Sequence, residues 1–107
     1  MNNTILTGQL ICHSDDEVSA VSAFLPHHIE LTLAEPGCIS FSVEQSDNPR
    51  VWDVSECFQD APSFELHQAR AKASEWGRAT AKIKRSYYVS GLDGQVKSSP
   101  ALGNKVT

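Results

Sequence analysis

A chain of 107 residues with 40% apolar residues, 21% charged residues and a net charge of −4 has the make-up of one ordinary globular domain, with a core thin enough to favour burial against a second copy. No apolar run approaches the roughly 20 residues of a membrane span, and Met1-Asn2-Asn3-Thr4 has neither the basic start nor the apolar stretch of a secretory leader. Cys12, Cys38 and Cys57 form no CxxC pair and are odd in number, which points away from zinc and disulfide frameworks and towards reduced thiols in a cytoplasmic protein.

Thr4 to Cys12 reads as a strand, with β-branched residues and alternating polarity. Gly8 inside it predicts a bulge, or else a close approach by a ligand or another backbone. Ser14 to Glu17 carries the capping-box spacing and opens a helix whose inward face is Val18, Val21, Leu25, His28 and Thr32. Pro26 should kink or interrupt that helix, and Glu35-Pro36-Gly37 ends it. Cys38 to Gln45 is a strand with Ile39, Phe41 and Val43 on the dry face. The turn Ser46-Asp47-Asn48-Pro49 leads to a returning strand, Arg50 to Phe58, with Trp52, Val54 and Phe58 on one face. Glu56 falls on that same apolar face and needs a partner if buried, such as a cation of the last strand or a backbone amide.

Asp60 caps a second helix that tolerates Pro62 in its first turn, places Phe64, His67, Ala71 and Ser74 on one face, and stops at Gly77. Thr80 to Val89 is the last strand, and residues 90–107, rich in Gly and Ser, form a tail or an arm on a partner, leaving residues 1–89 as the domain. Charge follows this layout: residues 1–66 hold eleven acids and one base, a net of −10, whereas residues 67–107 hold eight bases and two acids, +6. The bases are spread over a helix and a strand without a recognition motif, so they are expected to face acidic elements of this fold or of a partner rather than nucleic acid.

The order β-α-β-β-α-β is the ferredoxin-like arrangement, an α+β fold in which two helices cover one face of a four-stranded antiparallel sheet. The other face is expected to carry large side chains, and a second copy would cover it, giving a homodimer.

Leu33-Ala34-Glu35-Pro36-Gly37-Cys38-Ile39-Ser40-Phe41-Ser42-Val43 resembles a signature of the antibiotic biosynthesis monooxygenase family, in which a helix ends in an acidic residue followed by Gly-Cys and an alternating strand. The stretch Val54 to Asp60 and then Ser63-Phe64-Glu65-Leu66-His67 is similar to its second signature, a strand glutamate and a capping acid leading to a helical histidine. The likeness spans about residues 4–89. It implies a dimeric α+β barrel with a pocket between sheet and helices, and oxygenation of quinols or hydroxylated aromatics by O2 without metal, flavin or haem. Isomerases and haem degraders of the same fold are alternatives. The haem-degrading pattern is not met, because Gly8-Gln9 occupies its first-strand asparagine position and Trp76 follows His67 instead of preceding it.

Oxygen attacks an electron-rich phenolate or quinolate, so such a site needs a base, a dry pocket and donors for an oxyanion. His67 and His28 lie on inward helix faces and are the candidate bases, with ordinary imidazole roles in the core as the alternative. His67 also matches the histidine of the second signature. Trp52, Phe41, Phe64 and Trp76 could stack on a flat substrate or serve as core packing, and Arg70 and Tyr87 could hold an oxyanion or make surface contacts. Lys72 stands near the place of the second histidine that many family members carry. A non-catalytic small-molecule-binding or stress-response protein of the same fold is the other functional class left open. No cofactor or metal is expected, since the histidines have neither zinc nor haem spacing and there is no glycine-rich dinucleotide loop.

Overall fold

The computed structural model describes residues 2–92 and 95–97. Its elements are β1 (Thr4–Ile11), α1 (Asp15–Leu33), β2 (Cys38–Gln45), β3 (Val51–Phe58), α2 (Ala61–Ala73), α3 (Glu75–Ala79), β4 (Lys84–Leu92) and the short β5 (Gln95–Lys97). The strands form one antiparallel sheet in the order β2-β3-β1-β4-β5. This is the ferredoxin-like α+β fold, with β5 added at one edge.

Both helix starts are built as their sequences indicate. The Ser14 side chain accepts the Glu17 amide at 3.2 Å, and the Glu17 carboxylate reaches back to the His13 amide at 2.6 Å, one residue earlier than in an ideal capping box. The Asp60 carboxylate accepts the Ser63 amide at 2.9 Å, and its hydrogen bonds to Ser63 hold its pKa below the ordinary value. The core lies between the helices and one sheet face: Leu6, Leu10, Val54, Phe58 and Val89 from the strands meet Val21, Leu25, Phe64 and Trp76 from the helices.

Several expectations need correction. The first helix runs unbroken through Pro26. The ring sits on the exposed side, while Val21, Leu25, His28 and Thr32 hold the buried side. Gly8 makes no bulge; its pairing with Val54 and Tyr87 is continuous. It is there for close approach, because a Cβ would stand 2.0 Å from the Ser86 carbonyl oxygen, and its φ of +154° suits glycine alone. The irregularity falls on β2 instead, where the register shifts between Cys38 and Ser40 and Ile39 is turned out to solvent.

Gly77 does not stop the second helix. Ser74, in an extended conformation, ends α2, and its side chain accepts the Gly77 amide to start α3. A Cβ on Gly77 would lie 2.2 Å from the Ala71 carbonyl oxygen, so the glycine permits α3 to fold back on α2. The last strand begins at Lys84 rather than Thr80, because residues 80–83 form a turn that the Arg85 guanidinium closes onto the Thr80 and Ile83 carbonyls. It continues to Leu92 and pairs with β5, inside the stretch expected as a tail; residues 93, 94 and 98–107 of that tail lie outside the described residues. The outer sheet face is also less apolar than expected. Ile5 and Tyr88 are exposed there, but so are Thr7, Gln9, Ser42, Glu44, Asp53, Ser55 and Ser86. Among the described residues no helix is long and apolar enough to cross a membrane.

Candidate active site

The end of α1 and the middle of α2 are tied together by one polar network. His67 lies on the buried face of α2, and its Nδ1 stands 2.9 Å from Glu35 Oε1, just past the end of α1. Arg70, one turn further along α2, donates from Nε to the other oxygen of Glu35 and from Nη2 to Thr32 Oγ1 at 2.9 Å. Thr32 in turn donates to the His28 carbonyl at 2.7 Å. The α2 spacing of three places His67 and Arg70 on the same carboxylate, one on each oxygen.

The His67 side chain is fully enclosed. Burial lowers its pKa, and Glu35 acts in the opposite direction without reversing the result. The ring is therefore neutral near pH 7. Facing a carboxylate, Nδ1 carries the hydrogen and donates, so Nε2 holds the lone pair. Nε2 has no hydrogen-bond partner among the described residues, and Glu56 Oε1 lies 4.0 Å from it, beyond hydrogen-bond reach. A proton arriving at Nε2 would find carboxylates on both sides of the ring. Glu56, with 1% exposure, owes its place to the alternation of β3, which aims it inward with Trp52, Val54 and Phe58.

Aromatic rings close around this group. His28 stacks on Trp76 with centroids 4.6 Å apart and planes 6° from parallel, and lies 5.8 Å from His67. Phe41 meets His28 edge-on at 5.4 Å and His67 at 5.8 Å. Burial, then the neighbouring His67, Arg70 and Arg85, push the His28 pKa down to about 3. Neither ring nitrogen of His28 has a hydrogen-bond partner among the described residues.

Two clefts flank the paired histidines. One, of about 400 Å³, lies between the Glu35-Pro36-Gly37 turn and α2 and is lined by His67, Arg70, Ser63, Gln59 and Leu66. The other, of about 460 Å³, lies between α1 and α3 and is lined by His28, Trp76, Phe24 and Leu31 among others. Both are of a size that holds small molecules. Of the residues singled out from the sequence, His67, His28, Phe41, Arg70 and Trp76 come together here. Phe64 is fully buried against Phe58, with centroids 5.8 Å apart. Trp52 and Tyr87 are likewise packed in the core, and none of these three lines either cleft. Arg70 is half-buried in the network rather than a surface residue. Cys38 is no nucleophile candidate, since burial and then the Glu35 and Glu56 carboxylates push its thiol up to about 11. Among the described residues no group of three or more His, Cys, Asp or Glu side chains is arranged to hold a metal ion.

Two members of the network are not singled out as site residues by the sequence. Glu35 carries a signal, an acid between the helix end and Pro-Gly, but its partner is 32 residues away. Thr32 shows only its place on the inward face of α1.

Fold and site together define a small ferredoxin-like α+β domain with a buried histidine–carboxylate pair opening onto a cleft. The antibiotic biosynthesis monooxygenase family model matches residues 13–79, well over half of the chain, and the protein belongs to that family. No curated protein matches significantly. Solved structures share the fold. MupZ of Pseudomonas fluorescens is 24% identical over 85% of this chain and 70% of its own, with a TM-score of 0.69. Rv0793 of Mycobacterium tuberculosis is 18% identical over 92% of this chain and 100% of its own, with a TM-score of 0.66. A Nitrosomonas europaea protein provisionally named an antibiotic biosynthesis monooxygenase is 18% identical over 83% of this chain and 88% of its own, with a TM-score of 0.69.

Proposed function

We propose that this protein is a cofactor-independent monooxygenase acting on a quinol or hydroxylated aromatic, with His67 as the base. The observation that carries this reading is the Glu35–His67 pair. The 2.9 Å contact to Nδ1 fixes the tautomer and leaves Nε2 as a buried acceptor without a partner among the described residues. The substrate hydroxyl gives its proton to Nε2, and Glu35 stabilises the imidazolium that forms. Arg70 lines the same cleft, and its Nη1 has no hydrogen-bond partner among the described residues, so it supplies a cation for the phenolate oxygen.

The chemistry balances without a resident electron carrier. A hydroquinone and O2 give a hydroxyquinone and water: one oxygen atom enters a ring C–H, the other leaves as water, and the substrate supplies all four electrons. The protein's part is proton removal, anion binding and exclusion of water. We read the working unit as a homodimer joined through the outer sheet face, where Ile5 and Tyr88 lie among polar side chains.

Enclosure of the His67 side chain supports a second reading, a binding protein of the same fold in which the pair only ties α1 to α2. Oxygen uptake with a panel of naphthoquinols and phenols separates the two. The oxygenase reading expects uptake above autoxidation, with one atom of labelled O2 in the product. No uptake with any member of the panel would leave the binding reading.

A further inference from the structure

The α1–α3 cleft is chemically unlike the one beside Arg70. Its walls are Phe24, Leu31 and Trp76, and its lining holds one carboxylate, Glu75, an exposed histidine, His27, and no lysine or arginine. His28 also lines it, with 1% exposure and both ring nitrogens lacking a hydrogen-bond partner among the described residues. Stacking on Trp76 at 4.6 Å occupies one face of the His28 ring, and Phe41 meets the ring edge-on at 5.4 Å.

We propose that this cleft is a second small-molecule site, which takes a neutral, flat aromatic carrying a hydroxyl or amino group and anchors it on His28. A neutral imidazole carries one N–H donor and one acceptor nitrogen, and an aromatic hydroxyl or amine can pair with either. Burial keeps the ring in that neutral form. A volume of about 460 Å³ accommodates one or two fused rings. Glu75 and the lack of a lysine or arginine disfavour carboxylates and phosphates, which the Arg70 cleft would accept. Leaving two buried ring nitrogens unsatisfied is costly, and a ligand group that pairs with one of them recovers part of that loss. The site does not depend on turnover at His67.

The test is a titration of the full chain with 2-naphthol at pH 7, followed through the ring 15N resonances of the histidines. Saturable binding is expected, with the His28 resonances moving more than those of His27 and His67. His28→Phe keeps a flat ring and removes the anchor; it should weaken binding about tenfold, the loss of one hydrogen bond. Ala23→Trp, at an exposed position of the cleft lining, should abolish binding while leaving the core intact. 2-Naphthoate, the same ring with a carboxylate, should bind at least tenfold more weakly. No saturable His28 shift up to millimolar probe, a response centred on His67, or parental affinity in both variants would overturn the proposal.

Discussion

Glu35, in the turn just past the end of α1, and His67, in the middle of α2, are 32 residues apart, yet their side chains meet at 2.9 Å inside the protein. Because Arg70 takes the second oxygen of Glu35, the carboxylate cannot rotate away from the ring without breaking two contacts. Glu35→Gln should therefore lower kcat on a quinol by at least about tenfold while the chain stays folded. Glu35 raises the His67 pKa, so its removal should also move the acid limb of the pH–rate profile to lower pH. An unchanged profile with unchanged kcat would make Glu35 a structural tie only.

The two buried histidines make stability depend on pH. His28 has a pKa of about 3 in the fold against 6.5 for an ordinary histidine. Between those values the unfolded chain binds a proton that the folded chain does not, so stability falls as pH drops from about 6.5 towards 3. The slope from this residue is roughly 1.4 kcal/mol per pH unit. His67, also lowered, acts in the same direction. Urea unfolding measured between pH 7 and 4.5 should show this loss, and His28→Phe should flatten it. A pH-independent midpoint in the parent protein would contradict the burial of a neutral His28.

Gly8 offers a test of the sheet. An added methyl would meet the Ser86 carbonyl oxygen at 2.0 Å in a backbone conformation that other residues avoid. Gly8→Ala should destabilise the protein by about 2–4 kcal/mol in denaturant unfolding. A neutral substitution would mean that β1 and β4 do not pair as described.

Assembly through the outer sheet face can be checked directly. Light scattering at micromolar concentration is expected to give the mass of two chains, and Thr7→Arg, at an exposed position on that face, should shift the mass towards one. A monomer mass for the unaltered protein would remove the dimer from this account.

The element order and the inward faces of α1, α2 and β3 are legible in the sequence because they follow from periodicity, and periodicity is local. The inward placement of His28, His67 and Glu56 follows from residue spacing alone. What periodicity does not carry is contact between elements. The carboxylate on His67, the hydroxyl of Thr32 that holds Arg70, and the reason for Gly8 all depend on residues distant in the chain. Trp52, Phe64 and Tyr87 show the same limit: an inward aromatic looks alike in sequence whether it lines a cleft or fills the core. Ile39 departs from the expected alternation because one irregular residue on β2 reverses it, and nothing in Cys38-Ile39-Ser40 announces the reversal. Ser74 does carry a signal for the break between α2 and α3, since a serine three residues ahead of Gly77 can cap a new helix.

Whether His67 Nε2 takes the substrate proton is read from the turnover of a folded His67→Gln variant on whichever quinol supports oxygen uptake. Glutamine keeps much of the volume and can still hydrogen-bond to Glu35, but it cannot accept the proton in the same way. A loss in kcat of about 10² or more is expected, with an unfolding midpoint close to that of the parent. Near-parental turnover in this variant would contradict it and move the base elsewhere, with His28 the next residue to test.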